Sequence, residues 1–127
     1  MSGSARLLGI ALCVCGVGAL ALGLAFWSGY AWSFRWLHIA LGIGVVLFLW
    51  ALAGMAWRRT SRSGLVALAV VWGLATWMLG VRQNQILVGS FHWLIAVAHL
   101  AVGVVAIGLG VQLTRAIAQV RMAPNRN

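Results

Sequence analysis

The chain has no Asp and no Glu anywhere in its 127 residues. Without a carboxylate side chain, paired-carboxylate hydrolysis, Asp-held magnesium, acid-ligated calcium and a Ser-His-Asp triad are excluded within this chain. Lysine is missing too, so the nine cations are Arg6, Arg35, Arg58, Arg59, Arg62, Arg82, Arg115, Arg121 and Arg126. Charged residues make up 7% of the chain, where a soluble domain carries about a quarter, and 64% of residues are apolar. That balance excludes a water-soluble globule, and the apolar content excludes a disordered basic tail. The one proline, Pro124, leaves the apolar stretches free of helix breakers. The only cysteines, Cys13 and Cys15, are two residues apart. On a helix they point about 200° apart, so they neither pair nor share a metal, and no Cys-x-x-Cys redox motif exists. They read as small apolar side chains.

What is present is long apolar runs. A spanning helix needs about 20 apolar residues to cross about 30 Å of hydrocarbon. The arginines cut the sequence into four such stretches, at about 7–27, 36–57, 64–81 and 91–113. Four helices joined by short connections predict one all-α transmembrane bundle spanning 1–127. The first stretch also has a signal-peptide look, with Arg6 ahead of it and Ala19-Leu20-Ala21 as a cleavage box. Its apolar run continues to Trp27, and the residues before Cys13 do not form a lipoprotein box, so it is read as a retained helix.

Arginine asymmetry predicts orientation. Seven arginines (6, 58, 59, 62, 115, 121 and 126) fall on one side, and Arg35 and Arg82 on the other. That places both termini in the cytoplasm of a bacterial inner membrane. The aromatics Trp27, Tyr30, Trp32, Phe34, Trp36, Phe91 and Trp93 crowd the outer side. A charge of +9 needs no nucleic acid, because anionic lipids or an acidic partner subunit would neutralise it. Gly9, Gly16 and Gly23 recur every seven residues, as do Gly73 and Gly80, and such stripes predict close helix packing.

Ligating side chains inside membrane helices are candidate functional residues by default. Here they are His38, His92 and His99. The pattern His-x-Ala-x-Gly occurs at His38–Gly42 and again at His99–Gly103, 61 residues later, which suggests two tandem helical hairpins. Counting back from the arginines at the far end puts His38 about 6 Å in depth from His99 and about 5 Å from His92, all in the outer half. Arg35, His38 and Gly42 share one helical face. His92, Ala96, His99, Gly103, Ala106 and Gly110 share another.

A bis-histidine b-type haem fits this arrangement. Imidazole is a strong axial ligand, and no covalent attachment motif is needed. His38 and His99 are the expected metal ligands, with His38 and His92 as the substitute pair. Gly42, Gly103, Ala96 and Ala106 would supply flat walls, and Arg35 and Arg82 would pair the propionates. His92 would then be a propionate partner, a quinol contact or an interfacial belt residue. The structural alternatives are an amphipathic interfacial role for His92 and His38, and for His99 an interhelical bond to a carbonyl or to Thr76.

With those residues in view, the chain resembles small bacterial four-helix membrane proteins and is more loosely similar to cytochrome b-type four-helix bundles. The likeness lies in Trp36–Gly42 and His92–Gly110, about a fifth of the chain. It implies His38 and His99 as haem ligands. Many such cytochromes hold two haems with four histidines, one haem near each membrane face, whereas this chain has three histidines, all on one side.

The functional expectation is an electron-transfer subunit between a quinol pool and an outer-face partner. The alternative is a cofactor-free or chlorophyll-type pigment-binding accessory subunit of a larger respiratory or photosynthetic complex. Transport ranks below both, since no midspan helix break or intramembrane acid is present. A stand-alone enzyme is equally disfavoured, because no acid orients a nucleophile.

Overall fold

The computed structural model describes residues 3–122, with side chains through residue 120. Pro124 and Arg126 lie outside the described residues, as does the side chain of Arg121. The chain forms α1 (Gly3–Trp27), α2 (Arg35–Trp57), α3 (Ser63–Arg82) and α4 (His92–Met122), with 3-10 turns at Trp32–Phe34 and Gln83–Gln85. All four helices are long and apolar enough to cross a membrane. The fold is all-α, as the apolar runs require.

Boundaries follow local chemistry. α1 stops at a Schellman closure: the Gly29 N–H donates to the Phe26 carbonyl at 3.0 Å and the Tyr30 N–H to the Ala25 carbonyl at 2.9 Å. Gly29 sits there at φ +84°, which glycine adopts without strain. Two helices outrun their apolar stretches. α1 begins at Gly3 and includes Arg6, and α4 continues nine residues past Leu113 to Met122. Hydropathy marks where a membrane ends, not where a helix ends. No breaker precedes Pro124, and Ala116 and Ile117 are buried. The guanidinium of Arg62 also donates to Gln119 Oε1 at 3.1 Å, tying the α2–α3 connection to this extension.

Neighbouring helices run antiparallel, as their close approaches show. An added Cβ at Gly9 or Gly16 of α1 would strike Thr114 or Ile107 of α4, and one at Gly44 of α2 would meet Cys15 of α1. Trp50 Nε1 donates to the Val70 carbonyl at 3.2 Å, and Trp72 Nε1 to the Val102 carbonyl at 2.9 Å, linking α2 to α3 and α3 to α4. α2 and α4 pack on each other as well as on both α1 and α3. The glycine stripes are contact seams, as their spacing predicts, but each splits between two helices: Gly73 meets Trp50 of α2 and Gly80 meets His99 of α4. Gly9 and Gly16 face α4, whereas Gly23 faces His38 of α2.

Burial is uneven along the bundle. The buried side chains are Ala5 and Leu12, six between Val45 and Ala56, then Val66, Ala69 and Thr76, and five between Ala106 and Ile117. Most lie in the half carrying Arg6, Arg58 and Arg115, called here the basic end, while Val45, Val46 and Thr76 border the space beyond it. Among the described residues, 17–44 and 77–105 contain none. The opposite end, which carries the histidines, is open inside.

Candidate functional site

The open half encloses a cavity of about 730 Å³, within the range of small-molecule and cofactor sites. α2 contributes Arg35, His38 and Gly42 to its wall, the face predicted from their spacing. α4 contributes His92, Ala96, His99 and Gly103. That predicted face then leaves the cavity. Ala106 is fully buried in the apolar core, and a Cβ at Gly110 would strike Leu12 at 2.6 Å. The expectation of Ala106 as a flat wall is therefore corrected, and Ile107 lines the cavity floor instead. Arg82 is not among the lining residues; its neighbours Val81, Gln83 and Asn84 are.

His38 and His99 come together. Their ring centroids are 6.2 Å apart with 61° between the ring planes. The His38 Nδ1 lies 2.9 Å from the Ala19 carbonyl, an acceptor, so the bond requires the Nδ1–H tautomer and leaves Nε2 with a free lone pair. This interhelical bond fixes the ring of α2 from α1. The His99 Nδ1 is buried without a hydrogen-bond partner. Thr76, the partner weighed for it, bonds instead to the Trp72 carbonyl at 2.8 Å.

Each ring is backed by a glycine of an adjacent helix. A Cβ at Gly23 would lie 3.5 Å from His38 Cε1, and one at Gly80 would lie 3.4 Å from His99 Cε1. Phe26 stands edge-on to His38 with centroids 5.4 Å apart, and Trp32 stacks on Phe26, also at 5.4 Å. The α1–α2 connection thus lays two aromatic rings over one side of the site. Sequence spacing marks both glycines only as seam residues. Phe26 and the Ala19 carbonyl carry no pattern in the sequence that points to His38.

His92 lines the cavity nearer the connection, with Nδ1 3.4 Å from the Ile86 carbonyl. It precedes His99 by two helical turns, roughly 10 Å along α4. Among the described residues, no group of three His, Cys, Asp or Glu side chains forms a candidate metal cluster. A closed tetrahedral zinc site needs four such ligands, so this donor set does not suit one. Two imidazoles this close would suit an ion whose remaining positions another group fills, as a porphyrin does for haem iron. Comparison with family models, with curated proteins and with solved structures gives no match.

Proposed function

We propose that the protein is a membrane-embedded electron-transfer subunit of the b-type cytochrome kind, holding one haem between His38 and His99. The supporting observation is the 6.2 Å separation of the two rings across an otherwise unfilled half-bundle. With metal–imidazole bonds of roughly 2 Å and ring nitrogens about 1 Å from the ring centre, imidazoles on opposite sides of one ion have centroids about 6 Å apart. The orphaned His99 nitrogen and the two backing glycines agree with a site built around an occupant. A chlorophyll-type pigment takes one histidine and leaves the opposed second ring without a role.

When bound, haem supplies a one-electron iron couple. The chain's residues hold and shield it. The Ala19 carbonyl keeps His38 in one tautomer, which orients the ring and raises its basicity. Gly42, Ala96 and Gly103 leave room for a flat ring system, and Arg35 offers a guanidinium at the cavity wall for a propionate. His92, Gln83 and Asn84 give the wall polar groups suited to a quinol headgroup. One haem near one face does not cross the bilayer, so the reading calls for a redox partner on that side.

The direct test is the reduced-minus-oxidised visible spectrum of the detergent-purified protein. A sharp α-band is expected. Its absence, in protein expressed with haem available, overturns the reading and leaves a cofactor-free accessory subunit.

The likeness to cytochrome b-type bundles, a bacterial inner-membrane location and cytoplasmic termini belong to the same proposal. The arginine asymmetry supports the orientation. In a variant with Cys13 and Cys15 replaced by alanine, an impermeant maleimide applied to intact cells should label Ser33→Cys and spare Ser61→Cys. Both positions are exposed, at opposite ends of the bundle. The reverse labelling would invert the topology.

A further inference from the structure

A second cavity, of about 380 Å³, lies at the basic end on the flank between α1 and α4. Ile10, Val14 and Val111 wall it, Gly9 gives it depth, and Arg6 and Arg115 line it from facing helices. Gly9 of α1 approaches Thr114 of α4, so Arg6, one turn before Gly9, and Arg115, beside Thr114, stand near one level. Both are exposed, and among the described residues neither guanidinium has a hydrogen-bond partner. The chain holds no carboxylate side chain to offer them. Of the other described arginines of this end, Arg62 is bonded to Gln119 and Arg59 also has a partner, while Arg58 does not line the groove.

Two guanidinium groups on one groove repel each other unless an anion sits between them. The apolar walls face outward from the bundle, where a spanning protein meets acyl chains. The Thr114 hydroxyl already donates to the Gly110 carbonyl at 2.9 Å, which leaves the arginines as the donors. Guanidinium pairs phosphate oxygens in a bidentate fork. We infer that this groove binds one anionic phospholipid, its phosphate held between Arg6 and Arg115 and an acyl chain laid along Ile10, Val14 and Val111. Charge complementarity selects an anionic headgroup, and the apolar walls select a lipid over a free anion. The site is separate from the histidine cavity and is tested without it.

Native mass spectrometry of the delipidated, detergent-purified chain, incubated with phosphatidylglycerol or phosphatidylcholine, reads the site directly. Phosphatidylglycerol should be retained at least about tenfold better, from roughly two juxtamembrane arginines' worth of attraction. Arg6→Gln with Arg115→Gln should bring retention down to the phosphatidylcholine level. Arg58→Gln with Arg59→Gln removes the same charge from the same end and should leave retention unchanged. Val111→Trp, which keeps both arginines but fills the groove, should also lose the lipid, and it keeps the test decisive where the charge variant fails to fold. Inorganic phosphate should not displace the bound lipid. Equal retention of both lipids, equal loss in the two arginine pairs, displacement by phosphate alone or full retention in Val111→Trp would each overturn the assignment.

Discussion

On the haem proposal, replacing His38 and His99 together by alanine should abolish the α-band and reduce bound haem from about one per chain to background, while the helices remain. The effect is large because both residues that would hold the iron are lost; among the described residues no other histidine ring lies against either. The fold should survive, because both rings belong to segments, 17–44 and 77–105, that contain no buried residue. Single substitutions separate the roles. Either one would leave one of the two residues that would hold the iron, so a changed spectrum at partial occupancy is expected. His92→Ala should leave the ligand field intact, since His92 lies two turns from the His38–His99 pair. A steric variant makes the same point with both ligands present. Gly80→Leu places its Cβ 3.4 Å from His99 Cε1 and its branches beyond, pushing the ring off its position. Haem should then fall while circular dichroism stays unchanged. Undiminished haem in the double alanine variant would remove His38 and His99 from the site altogether.

How far this arrangement can be read from the sequence depends on the interaction involved. The four helices are legible because a membrane span needs a long apolar run and arginines interrupt such runs sharply. Their ends are less so. α4 reaches Met122 through Arg115 and Gln119, which a bilayer rejects but a helix accepts. The facing of His38 and His99 is visible from the repeated His-x-Ala-x-Gly and from depth counting along parallel helices. Depth counting alone gave His92 an equal claim as the partner of His38. The helix packing brings the ring of His99, and not that of His92, against His38. Arg82 illustrates the opposite limit. The sequence puts it on the same side of the bundle as Arg35, yet the turn at Gln83–Gln85 places Gln83 and Asn84 on the cavity wall and not Arg82. The Ala19 carbonyl could not have been singled out, since every residue carries one and only helix packing selects it.

The glycines offer the sharpest test of the packing itself, because their surroundings differ so much. Gly110→Leu should destabilise the bundle by about 3 kcal/mol, the upper range for overpacking a filled core. A Cβ there would lie 2.6 and 2.8 Å from the two terminal methyls of Leu12, and Leu12 is itself fully buried. Leu12 belongs to a core with Leu109, Leu113 and Ile117, so it has no empty space to enter. The strain must separate α1 from α4. Gly16→Leu meets a different neighbour at similar range, with Ile107 Cδ1 and Cγ1 at 2.5 Å. Ile107 borders the large cavity and can swing into it, so this variant should cost less stability but compete with whatever occupies that space. Gly54→Leu and Gly108→Leu, where an added Cβ meets nothing within 4 Å, should change stability by no more than about 0.5 kcal/mol. Reversible unfolding in mixed micelles, followed by helical circular dichroism, ranks the four. If Gly110→Leu proved as stable as Gly54→Leu, the α1–α4 contact could not be as close as Leu12 and Gly110 require. The groove bounded by Arg6 and Arg115 on that same contact would then have a different shape.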